Sequence, residues 1–133
     1  MISEIKNKYK GFHDALIFDI LYSNRHGKQK GLTPKVIVGL NAFNIQTEKW
    51  EQLKLIFSDV VKFWFFEGKN EKGKAVNSTV VFEAYIEKID DLIIFDFFAL
   101  QVDGRDLLAE NPNSDFVIHC KDINYELVNA PIL

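Results

Sequence analysis

The sequence predicts a mainly β protein, with an α+β arrangement as the open alternative: an antiparallel curved sheet or sandwich of about seven strands with one or two short helices. Two observations predict it. Apolar and polar residues alternate along several segments, which is the period of a half-buried strand, and polar, turn-like stretches separate these segments. The 133 residues have the size of one domain, so we expect a single domain over 1–133. Because 47% of the residues are hydrophobic, they can form a substantial core.

The N-terminal third predicts a helix followed by a hairpin. Apolar residues at helical spacing predict a short helix over Ser3–Tyr9. Strands are expected over Phe12–Ser23 and over Pro34–Ile45, where the proline stands at the start and its missing N–H does least harm. The polar stretch Asn24–Gly31 contains two glycines. We therefore expect it to join the two strands as a long loop.

The middle of the chain contains two ambiguous segments. Residues 47–57 fit a helix capped by a threonine, but their alternation favours a strand. Ser58-Asp59 then predicts a turn, and the β-branched and aromatic run Val60–Phe66 predicts another strand. Residues 79–89 also fit either a strand or a helix. A strand there would continue through a turn at Asp90-Asp91 as a hairpin.

The C-terminal part predicts a tight turn at Asp103-Gly104 and a last strand over 116–128, with a bulge near Asp122 where the alternation changes phase. Two strands carry apolar residues on both faces, residues 60–66 and 92–100. Such strands must lie centrally, be covered by a helix, or meet another chain. A homodimer through an aromatic strand is therefore one alternative.

The charge is unevenly distributed along the chain. Residues 1–82 carry 13 Lys and Arg against 8 Asp and Glu, or +5, and residues 83–133 carry 3 against 11, or -8. An acidic C-terminal segment can steer the protein toward a basic partner. The lysines are scattered rather than concentrated in one patch, which disfavours nucleic-acid binding. The candidate partner-binding residues are the acids of this segment nearest the predicted turns: Asp103, Asp106, Glu110 and Asp115.

Composition also indicates the compartment. No apolar run approaches the roughly 18 residues that cross a bilayer, and the first ten residues lack the apolar core of a signal peptide. The single cysteine, Cys120, excludes an internal disulfide. We expect a cytoplasmic protein that binds neither membrane nor nucleic acid.

His13 and Asp14 stand side by side before an apolar run, as in many catalytic sites. In an extended strand neighbouring side chains point to opposite faces, so the two residues are not expected to form a dyad. We interpret them as a structural motif at the start of a strand, with Asp14 accepting backbone N–H groups and His13 partly buried. A metal site combining His13, His119 and a carboxylate stays open, but the spacing has no metal signature. We therefore expect no catalytic residue, metal or cofactor.

Several other polar and aromatic groups have structural interpretations. Asp19 and Asp96 interrupt apolar runs and should each face solvent or a hydrogen-bond donor, because an unpaired buried carboxylate is costly. Cys120 is expected in the core rather than as a nucleophile. The aromatic run Phe63–Phe66 is also expected in the core. Alternatively, Trp64 and nearby phenylalanines could line an apolar pocket for a small molecule. For the function of the protein, a protein-binding module is therefore the first expectation, a binder of small apolar molecules the second and an enzyme the third.

Three short stretches resemble a known kind of protein. "FHDA" at Phe12–Ala15 followed by a hydrophobic strand, "LKLIFSDV" at Leu53–Val60, and a closing strand "FVIHCKDINYEL" at Phe116–Leu127 are similar to small bacterial immunity proteins encoded beside polymorphic toxins. The resemblance implies a cytoplasmic, β-rich protein that binds and neutralises one cognate toxin without catalysing a reaction. It carries over no catalytic residue, because such proteins act through surface complementarity.

Overall fold

The structure is a computed structural model that describes residues 1–24, 33–66, 80–102 and 107–128. The prediction of a mainly β, antiparallel fold is confirmed. The predicted turn at Asp103-Gly104 lies outside the described residues. The elements are α1 (Ile2–Tyr9), β1 (Leu16–Ser23), β2 (Lys35–Asn44), β3 (Lys49–Phe65), β4 (Tyr85–Ile89), β5 (Leu92–Asp96), β6 (Leu100–Val102), β7 (Leu107–Ala109) and β8 (Phe116–Leu127).

Six strands form one antiparallel sheet in the order β1-β2-β3-β8-β5-β4, and β6 and β7 form a separate pair. The predicted pairing of the first two strands is confirmed, because Ile20 opposes Val38 in an antiparallel register. β4 and β5 also pair, and the turn predicted at Asp90-Asp91 is confirmed between them. β8 enters the sheet between β3 and β5, so the last strand joins the two halves of the sheet.

The long strand β3 lies in the middle of the sheet. It pairs with β2 on one side and with β8 on the other, from Leu53 opposite Leu127 to Phe65 opposite Phe116. The strand interpretation of residues 47–57 is therefore confirmed within β3. The predicted turn at Ser58-Asp59 is wrong, because β3 continues through these residues over its 17-residue length.

A bulge takes the place of that turn. Asp59 has a positive φ of 52°, and the register with β8 shifts between Val60 and Lys62. Val61 is left without a partner on β8, so the extra residue belongs to β3. The bulge bends the strand and preserves its pairing, which a reversal of the chain would have interrupted.

The last strand changes phase where the sequence indicated, and its register with β3 stays unshifted there, from Asp122 opposite Ser58 to Cys120 opposite Val60. The buried or half-buried side chains facing the core along β8 are Phe116, Ile118, Cys120, Ile123 and Tyr125. The core-facing residues have even numbers up to Cys120 and odd numbers from Ile123 onward. The predicted change of phase near Asp122 is confirmed, and the prediction that β8 itself carries the bulge is wrong.

The segment before β4 is extended rather than helical. Val80 forms an isolated bridge with Leu16 of β1, and Glu83 forms another with Phe98. β4 then begins at Tyr85. The helix alternative for residues 79–89 is therefore wrong over its described part, 80–89. The first bridge places Val80 beside the start of β1, and the second places Glu83 beside the segment that follows β5.

The predicted N-terminal helix is confirmed as α1. Its residues Ile5 and Tyr9 are buried and Ile2 packs against the core, which is the face that the spacing indicated. The core itself draws on every strand of the six-stranded sheet. Its largest fully buried side chains include Phe12, Phe57, Phe95, Phe97 and Phe116.

The turn between α1 and β1 replaces the first part of the predicted strand, which starts at Leu16 and not at Phe12. Lys10, Phe12 and Asp14 all have positive φ, a conformation that is costly for a residue with a side chain. Hydrogen bonds to residues 81–84 hold this turn: Ala84 N donates to Gly11 O at 2.7 Å, and Asp14 N donates to Val81 O at 2.8 Å.

Asp96 at the end of β5 is fully buried. Its carboxylate accepts hydrogen bonds from the Phe98 and Asn111 backbone N–H groups, at 2.9 and 2.6 Å, and from the Ser114 hydroxyl. The expectation that Asp96 faces donors is confirmed, and Asp19 is exposed as expected. Charge-assisted bonds compensate the desolvation of the carboxylate. They also fasten residues 111–114 to the sheet.

We predict that Asp96→Asn destabilises the protein by about 2–4 kcal/mol, because the amide replaces an acceptor with a donor that faces buried donors. Chemical denaturation monitored by circular dichroism measures the change. The matched control is Asp91→Asn in the exposed β4–β5 turn, where we expect less than about 0.5 kcal/mol. Equal, small effects at the two positions would contradict the role of Asp96.

Candidate functional site

An apolar row crosses the solvent face of the sheet. Leu21 of β1 is opposite Ile37 of β2, and Ile37 is opposite Ile56 of β3. Directly opposed residues place their side chains on the same face of a sheet. This face is opposite the core, because the neighbouring residues on these strands, such as Val38 and Leu55, are fully buried.

Phe18 extends the row along β1. The register with β2 shifts between Ile17 and Asp19, which leaves Phe18 as the extra residue of a bulge. Its ring covers Gly39, where an added Cβ would lie 2.8 Å from Phe18 Cε2. A glycine at this position therefore provides the space for the ring. Phe18 and Leu21 are 52% and 56% exposed, and we call Phe18, Leu21, Ile37 and Ile56 the outer patch.

Charged residues border the outer patch on both sides. One neighbouring row runs from Asp19 over Gly39 and Lys54 to Glu126, and the other from Ser23 over Lys35 and Ser58 to Asp122. Where these rows reach β8, they end in the exposed carboxylates of Asp122 and Glu126. The patch is thus apolar at its centre, acidic along β8, and flanked by a lysine on each side.

The four acids chosen from the sequence do not form one surface among the described residues. Asp103 and Asp106 lie outside the described part of the chain. Glu110 hydrogen-bonds to His119 Nε2, and its side chain is 34% exposed. The Asp115 backbone carbonyl accepts a bond from Phe66 N at 2.8 Å. The acidic segment reaches the outer patch instead through Asp122 and Glu126.

His13 and Asp14 lie closer together than expected. The argument for opposite faces is wrong, because both residues belong to the turn before β1 and Asp14 has a φ of 61°. His13 Nε2 is 3.4 Å from Asp14 Oδ2, and His13 Nδ1 is 2.8 Å from the Phe82 carbonyl oxygen. The His13 side chain is 59% exposed rather than partly buried. With both side chains in solvent, the pair lacks the enclosure of a typical catalytic dyad.

The aromatic run at the end of β3 divides between two faces. Phe63 and Phe65 are half-buried against the core, whereas Trp64 and Phe66 are each 53% exposed. The expectation that the whole run lies in the core is therefore wrong for Trp64 and Phe66. Trp64 lines an open cleft whose other residues include Lys62 and Glu110, so its surroundings are partly charged. The homodimer through this strand stays a prediction.

A polar cluster attaches α1 to the sheet. The Tyr9 hydroxyl donates to Glu51 Oε1, which also accepts a bond from Asn44 Nδ2. Burial, followed by the charge of Glu51, raises the pKa of the Tyr9 hydroxyl. Lys8 Nζ donates to the Tyr125 hydroxyl, and this bond raises the pKa of Lys8. Since these groups bond to one another, we interpret the cluster as structural.

Sequence reasoning missed the pair Glu110–His119 and the outer patch. The turn-forming stretch Asn111–Ser114 lies between the two members of the pair, and a reversal there brings residues on either side together. That signal was present in the sequence. No comparable signal exists for the outer patch, because alternation within one strand does not fix its register with the next.

Cys120 is a free, fully buried thiol on β8. Burial raises its pKa from 9.0 to about 12, so the folded protein favours the neutral thiol. The expectation of a core cysteine is confirmed. Since only the thiolate reacts readily, Cys120 is unsuited to act as a nucleophile in the folded state.

We predict that iodoacetamide leaves Cys120 unmodified at about pH 8 in the folded protein and alkylates it after denaturation in guanidinium. Mass spectrometry measures the modification. Folding raises the pKa of the Cys120 thiol. Its contribution to the free energy of unfolding is therefore complete below pH 9.0 and is lost as the pH rises toward 12. Complete alkylation of the native protein would contradict the assignment.

Three findings complete the description of the site. Among the described residues, no group of three or more His, Cys, Asp or Glu side chains is arranged to hold a metal ion. The helix in the described ranges is too short to span a membrane. Comparisons of the chain with protein-family models, with curated proteins and with solved structures found no match.

Proposed function

We propose that this protein is a non-catalytic protein-binding module whose outer patch binds a basic protein. The observation that carries the proposal is the row Leu21–Ile37–Ile56, extended by Phe18, on the solvent face of the sheet. Contiguous apolar surface rimmed by polar residues typically marks an interaction site. An aromatic ring within the patch is the kind of side chain that interfaces favour.

The charges around the outer patch support a partner with positive charge on one side. Asp122 and Glu126 are both exposed at the β8 end of the patch. Carboxylates at the edge of an interface attract basic side chains and mainly accelerate association. The excess of acids in residues 83–133 acts in the same direction over a longer range.

We further propose that the partner is a cognate bacterial toxin, which this protein neutralises. The resemblance of residues 12–15, 53–60 and 116–127 to immunity proteins supports this identity for the partner. The outer patch supports binding and does not by itself select a toxin. Neutralisation requires that the bound patch covers the active site of the partner or prevents its substrate from binding.

The experiment begins with affinity purification from source cells, using the protein as bait, and continues with the purified partner. Two assays follow: binding kinetics at low and high salt, and growth of cells that express the partner with or without this protein. We expect a basic partner whose toxicity is relieved by co-expression. A bound partner that is not toxic would retain the binding proposal and overturn the toxin proposal.

We predict that the double variant Asp122→Lys and Glu126→Lys lowers the association rate by about tenfold at low salt and by much less at high salt. Surface plasmon resonance with the purified partner measures this difference. The matched control is Asp91→Lys, an exposed charge reversal in the β4–β5 turn. Equal rates for the double variant and the wild type would contradict the role of these two acids.

We predict that Gly39→Ala weakens partner binding without unfolding the protein. The added Cβ would lie 2.8 Å from the Phe18 ring, so the ring must move away from its present position in the outer patch. Alanine itself suits a strand better than glycine. We expect about a tenfold rise in Kd with an unchanged circular dichroism spectrum. Wild-type affinity would show that the partner does not contact this part of the patch.

A further inference from the structure

A cleft of about 500 Å³ lies on the solvent face of the sheet, away from the outer patch. Its floor is formed by the end of β3 and by Val117 of β8. Its wall is the chain from Glu110 to Ser114. Its lining includes Lys62, Trp64, Glu110, Asn111, Ser114 and Val117.

Several hydrogen bonds hold the wall of this cleft in place. Asp96 fixes the Asn111 backbone and the Ser114 hydroxyl from below. The Asn111 amide group donates to Phe98 O at 3.1 Å, and its oxygen accepts from Asn113 N at 2.9 Å. These side chains are committed to the wall. A buried carboxylate used to position a surface turn provides the kind of support that a precise binding site needs.

The Trp64 side chain provides an apolar platform. Trp64 is opposite Val117, which is only 4% exposed, and Trp64 itself is 53% exposed. About half of the Trp64 surface is therefore accessible to a ligand in the cleft. An indole face attracts the apolar face of a ligand through dispersion and burial of apolar area.

Charged groups of both signs stand beside this platform. Lys62 lies two residues before Trp64 on the same face of β3 and is opposite His119. His119 in turn bonds to Glu110 through Nε2 and Oε2. The cleft thus offers the ammonium donors of Lys62 and the second carboxylate oxygen of Glu110.

The combination selects among ligand classes. An anionic ligand would approach Lys62 but be repelled by Glu110, and a wholly apolar ligand would desolvate both charges without replacing their hydrogen bonds. A sugar ring has an apolar face and hydroxyls that both donate and accept. We propose that the cleft binds one unit of a neutral saccharide, stacked on Trp64, with hydroxyls bonded to Lys62 and Glu110.

This inference is independent of the proposed partner, because the cleft and the outer patch use different residues. The test starts from Trp50→Phe, which leaves Trp64 as the sole tryptophan. Its fluorescence is titrated with neutral trisaccharides of glucose, galactose, mannose and N-acetylglucosamine in α and β linkages. We expect a saturable change for at least one sugar, with a Kd of about 1 mM or tighter.

Two variants in the Trp50→Phe background examine the polar contacts. Lys62→Met and Glu110→Gln should each raise the Kd by about tenfold, because each removes a charge-assisted hydrogen bond. Lys54→Met is the matched control, since Lys54 is an exposed lysine on the same strand outside the cleft. We expect it to leave the Kd unchanged.

Saturation-transfer NMR on the wild type measures binding without relying on fluorescence or on a variant that must fold. Contact between the sugar-ring protons and the protein, lost in Trp64→Ala, would support the proposal. It is overturned if no trisaccharide binds up to about 50 mM, or if Trp64→Ala binds as well as the wild type. Binding of benzoate in preference to every sugar would also overturn it.

Discussion

Backbone pairing between β3 and β8 is the interaction on which the rest of the structure depends. β1 and β2 are attached to one side of this pair, and β5 and β4 to the other. The core residues Phe57 and Phe95 meet edge to face with ring centroids 5.3 Å apart, although their strands lie on opposite sides of β8. Without the central pair, each half of the sheet would expose one side of the core. The bulge at Val61 lets a 17-residue strand bend around that core while it stays paired.

Local alternation was sufficient to predict the class of fold and most of its elements. α1, β2 and β8 lie close to where spacing and turn residues indicated. Ser58-Asp59 was misread because the turn preference of two residues is weaker than pairing with strands on both sides, and the positive φ of Asp59 is accommodated within β3 without a shift of register. The outer patch was not predictable, because the alignment of Leu21, Ile37 and Ile56 depends on registers set by contacts distant in sequence.

The solvent face of the sheet is used in two different ways. Over β1 to β3 it exposes an apolar surface, whose Phe18 ring lies over a glycine. Over β5 and β8 it is covered by residues 110–114, which Asp96 holds in place. The first region is the surface that we propose to bind a protein, and the second is the cleft that we propose to bind a small ligand. β3 contributes to both, since Ile56 and Trp64 lie on either side of its bulge.

The late position of β8 also affects how the chain reaches its fold during synthesis. Lys8 of α1 bonds to Tyr125, 117 residues further along the chain, and β3 cannot form its pairing with β8 until residues 116–127 have been synthesised. Contacts so distant in sequence slow folding, and an unpaired apolar edge promotes aggregation in the interval. A nascent chain that stalls before residue 116 would therefore be a natural target for chaperones.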